Sequence, residues 1–208
     1  LYLCSQDFYR LTSEGLKLRI PHQGVYINVS AALRLDDGTN LKDEMRIVAK
    51  TMSEMPGIED MKRDVRAFAD LLMKKAAAPA VKEFYVGPMM IEEEAVSEAI
   101  MRSVVRPYCS ANRDFFRGSS MASAMLGKRI IDTNLSIHQL SSLTAYNGIP
   151  LIARQTVDVD GVAQAKTLPI VERGILRNLL CGSHPSIGAL ASTGNQRKGF
   201  LFDNTYLM

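Results

Sequence analysis

The sequence predicts an α+β fold, with helices early and an antiparallel β meander in the C-terminal half. Three observations predict it. Residues 58–78 carry apolar side chains at helical spacing. Residues 17–35 alternate at strand spacing. From about residue 151 the pattern changes to short strands broken by turn pairs.

The elements follow in chain order. The opening "LYLCSQDFYR" reads as part of a strand. In 17–35, Val25, Ile27 and Val29 alternate with Tyr26, Asn28 and Ser30, so one face is apolar and the other polar. "DDGTN" at 36–40 is a turn. A helix is expected over 41–53, ended by Pro56-Gly57. The clearest helix is 58–78. Met61, Val65, Phe68 and Leu72 share a face, Lys62, Arg63, Asp64, Arg66 and Asp70 fall between them, and Pro79 stops the winding. "FYVGPMMI" at 84–91 reads as a buried strand whose Pro88 requires an edge, a bulge or a bend. A second helix is expected over 93–105. Then "LIARQTVDV" and "VAQAKTLPIV" flank the hairpin pair Asp160-Gly161, "ERG" at 172–174 makes a further turn, and "ILRNLL" continues as a third strand. The last residues, "LFDNTYLM", are again strand-like.

Composition bounds the function. Of the 208 residues, 47% are hydrophobic and 23% charged, which is the balance of a chain that folds. Net charge is +3, with no block of one sign, so nothing favours nucleic acid or an anionic membrane as a direct partner. Cys4, Cys109 and Cys181 are odd in number and far apart, which fits a reducing, cytoplasmic setting better than a disulfide framework. No apolar stretch approaches the length of a membrane span.

The chemistry-bearing stretch is "IEEEAVSEA" at 91–99. It holds Glu92, Glu93, Glu94 and Glu98. One reading is electrostatic: glutamates in the first turn of a helix gain about 0.3–1 kcal/mol each from the helix dipole. The other reading is a cation site. Zinc prefers imidazole and thiolate, whereas magnesium, manganese or calcium accept carboxylates. The segment has no histidine, and the chain's three, His22, His138 and His184, stand far apart. A regular helix sets Glu93 and Glu98 about 140° apart around its axis, so chelation of one ion by both needs distortion or outside ligands.

Four stretches, "YVGPMMIEEEAVSEAI", "GSSMASAMLGKRI", "VDVDGVAQAKTLPIVERGILRNLL" and "ASTGNQRK", together resemble the TldD/PmbA family of zinc-dependent peptidases and their metal-free homologues. The similarity lies in a Gly-Pro strand before a helix, then a D-x-E-G-V hairpin, a G-x-L strand and an S-T-G-N-x-R segment. Here the last three read Asp158-Val159-Asp160-Gly161-Val162, Gly174-Ile175-Leu176 and Ser192-Thr193-Gly194-Asn195-Gln196-Arg197. The resemblance implies that 1–208 is one TldD/PmbA-like region, a fragment without the family's N-terminal domain and extreme C-terminus.

Active members of that family carry HExxxH on the helix. Transferred to this sequence, the first histidine falls on Glu93, the catalytic glutamate on Glu94 and the second histidine on Glu98, so E-E-A-V-S-E stands for H-E-A-V-G-H. Glu94 keeps the general-base position as a vestige, and both imidazole ligands are replaced. Zinc in active members lowers the pKa of its water to about 7 for the glutamate to deprotonate. The resemblance therefore implies the metal-free branch, with no cofactor expected. It also implies a partner that is a peptide or unfolded polypeptide, and a homodimer or a heterodimer with a TldD-like homologue. Two rivals stand beside that reading: a hydrolase whose carboxylates Glu93, Glu94 and Glu98 hold manganese or magnesium, and a non-enzymatic interaction scaffold.

Other residues invite weaker readings. His138, His184 and His22 read as surface or satisfied histidines. Ser119-Ser120 lacks the spacing of a nucleophile elbow. "STGN" with Arg197 and Lys198 reads as a plain turn or, less simply, as an anion cradle of backbone N–H groups. The eleven methionines, among them Met89, Met90, Met101, Met121 and Met125, read as core filler.

Overall fold

A computed structural model describes residues 1–79, 84–92, 94–111, 121–151, 155–183 and 191–196; the side chains of His22, Glu94, Met121, Ile149 and Pro150 lie outside that description. The fold is α+β. The chain forms two compact units, Leu1–Phe8 with Ile20–Pro88, and Tyr9–Arg19 with Met89–Met208.

Three strands open the chain: β1 (Tyr2–Leu11), β2 (Lys17–Arg34) and β3 (Asn40–Ala49), in the order β1-β2-β3. β2 and β3 are antiparallel, in register from Val25 opposite Ala49 to Arg34 opposite Asn40. Their turn is the expected one: Gly38 takes a φ of +86°, and the Thr39 N–H donates to Asp37 Oδ1. Val25, Ile27 and Val29 share a face with Ala49, Ile47 and Met45, and Val25, Ile47 and Ala49 are buried. On the opposite face Arg46 donates to Asn28 Oδ1 at 2.9 Å, directly across the ladder.

The expected helix over 41–53 is not formed. Residues 40–49 are β3, and only a short 3₁₀ turn, Met52–Glu54, follows. Leu, Lys, Glu and Met favour a helix locally, but burial along β3 alternates residue by residue, and the partner strand decides the conformation.

The strong helix is present as α1 (Ile58–Ala77), with Glu59 and Asp60 in its first turn and Lys74 and Lys75 in its last, each sign placed to suit the dipole. Leu72 is buried, Met61, Val65 and Phe68 are half-buried, and Lys75 pairs with Asp43 of β3. Ala78 leaves the helix in an extended conformation just before Pro79. The expected buried strand at 84–91 is likewise corrected. Those residues form no strand, and Phe84, Val86, Met89 and Met90 are 76–94% exposed. Met89 and Met90 are therefore not core filler.

In the second unit, α2 (Glu94–Ile100) runs on as a π-helix, Met101–Cys109, rather than stopping near residue 105. The wider winding accommodates Pro107, which has no N–H to give, and Ser103 Oγ donates to the Ala99 carbonyl at 2.6 Å. α3 (Met121–Met125) follows, then β4 (Ile137–Gln139), β5 (Ala145–Tyr146), β6 (Ile149–Pro150), β7 (Leu168–Glu172) and β8 (Ile175–Leu176). β4, β7 and β8 form one antiparallel sheet and β5–β6 a second hairpin. The "ERG" turn is real: Arg173 and Gly174 have φ of 46° and 78°, the mirror-image turn that joins twisted strands. A Cβ on Gly174 would lie 2.5 Å from the Ile131 carbonyl oxygen, so the position demands glycine twice over. Asn147-Gly148 makes the same turn between β5 and β6, a hairpin absent from the expectations above although its turn pair is a strong signal. The Asp160-Gly161 turn forms, but beside it pairing is reduced to a Val157–Ala163 bridge. The core of this unit joins Val105, Cys109 and Ala111 to Ile170, Val171, Leu176, Leu180 and Cys181.

Candidate functional site

Glu94 opens α2, which places it and Glu98 one turn apart on one helical face. Glu98 is 63% exposed, and its Oε1 accepts a 2.5 Å bond from Arg102 in an (i, i+4) ion pair. Glu92 is exposed just before the helix. Glu93 lies outside the described residues. The glutamates thus sit around a helix start, where the dipole favours them. Among the described residues no three His, Cys, Asp or Glu side chains gather where they could hold a metal ion.

Downstream, the hairpin and S-T-G-N stretches meet in a buried polar clamp. Asp158 is fully buried. Its Oδ1 accepts the N–H groups of Asp160 and Val162 at 2.9 Å each, and its Oδ2 accepts the Gln196 N–H at 3.1 Å. Asn195, 2% exposed, exchanges two amide hydrogen bonds with Gln139 of β4, at 2.7 and 3.1 Å. The Asn195 Nδ2 also donates to the Thr193 carbonyl, and Gln164 Nε2 donates to the Gly194 carbonyl. Thr193 Oγ1 accepts the Cys181 N–H at 2.9 Å. This arrangement supports the plain-turn reading of S-T-G-N. The N–H groups of Thr193 and Asn195 go to the Cys181 carbonyl, that of Gly194 to Ser192 Oγ and that of Gln196 to Asp158, so none of the four is left for a ligand. Arg197 and Lys198 lie outside the described residues.

Next to the clamp, Asp160 accepts Arg10 at 3.0 Å and Ser183 Oγ at 2.5 Å, with only 5% of its side chain exposed. Arg10 stands at the end of β1 beside the Thr12–Leu16 turn, and a Cβ on Gly161 would meet the Leu16 side chain. An ion pair and an apolar contact therefore fasten this part of the β1–β2 hairpin to the Asp158–Gly161 turn.

The remaining candidates scatter. His138 sits half-buried in β4, while His184, Ser119 and Ser120 lie outside the described residues. Cys181 is buried and donates from Sγ to the Ala191 carbonyl at 3.2 Å, as a structural thiol does. Burial pushes the Cys109 thiol up to about 12, which keeps it protonated and unreactive at neutral pH.

Residues 86–207 match a family described as the PmbA/TldA metallopeptidase C-terminal domain. The matched stretch contains α2, the π-helix, the sheet β4-β7-β8 and the clamp. The chain belongs to the PmbA/TldD family. Two solved structures share the fold of this PmbA/TldD chain. One is a proposed modulator of DNA gyrase from Bacteroides thetaiotaomicron, at 11% identity and a TM-score of 0.59, covering 89% of this chain and 40% of the other. The second is TldE from Thermococcus kodakarensis, at 14% identity and a TM-score of 0.55, covering 89% of this chain and 39% of the other. The chain thus spans about two fifths of the length of each. No curated protein matches.

The family's description as a metallopeptidase domain raises the question of a metal. Positions 93, 94 and 98 offer only carboxylates, and Glu98 is committed to a guanidinium.

The Asp158–Asn195–Gln139 clamp is what the sequence reading missed as a unit. Its signal was an acidic residue two positions before Asp160-Gly161, a spacing that lets a carboxylate cap its own turn.

Proposed function

We propose that this chain is a PmbA/TldD-family protein of the metal-free kind, which binds an extended peptide or pairs with a homologous chain and has little or no peptide hydrolysis of its own. The observation that carries the reading is the Glu98–Arg102 ion pair at the position where an active relative needs an imidazole. A glutamate that lacked a Lewis acid and a paired nucleophile would have no means of activating water against an amide, which is the chemical basis of the reading. Extended peptide is the class of ligand that the family's peptidase chemistry acts on, and a cytoplasmic setting agrees with two buried, unpaired thiols. Among the described residues no helix is long and apolar enough to cross a membrane.

The test uses a fluorescent unstructured peptide, with zinc or manganese supplied in turn. Saturable binding is expected, with no cleavage above the peptide's own rate and no change on Glu94→Gln. A stoichiometric metal ion together with amide cleavage that Glu94→Gln abolishes would overturn the reading. Manganese-dependent cleavage lost on Glu98→Ala would favour the carboxylate-metal rival instead.

A further inference from the structure

Asn147 is the one asparagine of this chain that precedes a glycine. With Gly148 it forms the tip of the β5–β6 hairpin, and both residues are exposed. Their φ angles of 48° and 80° are those of the mirror-image turn. Among the described residues, no group hydrogen-bonds to the Asn147 amide or accepts the Gly148 N–H. An electrophilic side-chain carbonyl and an unengaged backbone nitrogen thus stand on adjoining residues. Glycine has no Cβ to shield that nitrogen.

The hairpin around this tip is slight. Its ladder consists of Ala145 opposite Pro150 and Tyr146 opposite Ile149, extended by a bond from the Leu151 N–H to the Thr144 carbonyl at 2.9 Å. A hairpin of that size is marginal and opens locally at little cost. Opening matters chemically. To close a five-membered ring, Asn147 must rotate ψ away from the value of a mirror-image turn. The closed hairpin restrains the reaction and the open hairpin permits it.

We propose that Asn147 is a site of self-modification, converted to isoaspartate through a cyclic imide when the hairpin opens. The Gly148 nitrogen gives its proton to base and attacks Asn147 Cγ, and the side-chain nitrogen leaves as ammonia, carrying a proton back from solvent. Water then adds to the imide and breaks one of its two C–N bonds. Opening at the Cγ carbonyl yields aspartate. Opening at the main-chain carbonyl yields isoaspartate, whose backbone runs through the former side chain. No electrons are exchanged, and water is the only co-reactant. Isoaspartate adds a carbon to a two-residue turn and a negative charge to its tip, so β5 and β6 lose their register. The damage stays local, because Ser141 Oγ holds the Ala165 carbonyl at 2.7 Å just before the hairpin. The new exposed carboxylate is of the class that accepts a methyl group from S-adenosylmethionine. The hairpin thereby records the age of the molecule, whether or not any peptide is bound or cleaved.

Peptide mapping by mass spectrometry tests this on the chain aged in mildly alkaline buffer, folded and in urea. The mass gain of amide-to-acid exchange should appear at position 147, about tenfold more slowly in the folded chain than in urea. Asn134, exposed but followed by Leu135, should stay unchanged in the folded chain. Isoaspartyl methyltransferase with labelled S-adenosylmethionine should label aged wild type. It should not label aged Asn147→Gln, whose longer side chain cannot close the five-membered ring; circular dichroism checks that this variant folds. A folded chain left intact while the unfolded chain converts would overturn the proposal, as would equal gain at Asn134. Equal rates in the two states would overturn the restraint by the turn. Mass gain without methyl labelling would overturn the isoaspartate product.

Discussion

At the scale of single residues, Asn195 is placed where its side chain has most to lose. It is buried, and its amide donates to and accepts from Gln139 while also donating to the Thr193 carbonyl. Asn195→Ala strands both ends of Gln139 in a dry site, which costs about 2–3 kcal/mol by the usual penalty for unpaired buried polar groups. The change should appear as a lower urea midpoint with the slope kept. Asn195→Asp should cost more, because it removes the Nδ2 donor and adds a buried charge. A loss below about 0.5 kcal/mol in both variants would mean that water replaces the amide and that the clamp is open to solvent. The S-T-G-N motif thus works through its side chains locking two distant loops together. Motif residues are legible in sequence; what they bond is not, because Gln139 lies 56 positions away and gives no local signal.

At the scale of elements, β3 and α1 show which parts of the fold the chain reveals on inspection. α1 is legible because one face repeats over 20 residues and Pro79 marks its end. β3 is illegible because its residue types favour a helix, while its conformation is set by ten paired positions on β2. The glutamates around α2 are legible as a helix start, but the π-winding that carries the helix to Cys109 follows from Pro107 and the core around it. The Lys75–Asp43 pair ties the end of α1 to β3 and makes a prediction about acid. The Asp43 carboxyl is held below its ordinary value, first by the hydrogen bond from the Lys75 ammonium and then by the Glu44 N–H. A carboxyl depressed in the folded state contributes stability that is whole above its unfolded value, about pH 4, and is lost as pH falls through the folded value. Asp43→Asn should therefore lower stability modestly at neutral pH and flatten the acid limb of the stability profile below about pH 4. Thermal melts at a series of pH values read both effects, and parallel acid limbs in wild type and variant would show that the pair does not couple helix to strand.

At the scale of the whole molecule, the chain passes between its two compact units at residues 8–9, 19–20 and 88–89. Family membership and the α+β class were both legible in the order of motifs, but this interleaving was not, since no composition shift marks residue 9 or 19. It has a physical consequence. Chymotrypsin should cut first at Phe84 or Tyr85, which are exposed and lie outside any helix or strand. Such a nick divides the sequence without dividing either unit at its core. The N-terminal piece still carries Arg10 and Leu16, and these are fastened to Asp160 and Gly161 of the C-terminal piece. The two pieces should therefore elute together from a native sizing column and separate only in denaturant. Arg10→Ala should loosen them, because it removes the ion pair between β1 and Asp160 and leaves that carboxylate with the Ser183 hydroxyl. Pieces that part at once in native buffer would show that residues 9–19 do not belong to the second unit in solution. Pieces held equally well by Arg10→Ala would place the attachment on the Leu16 contact instead.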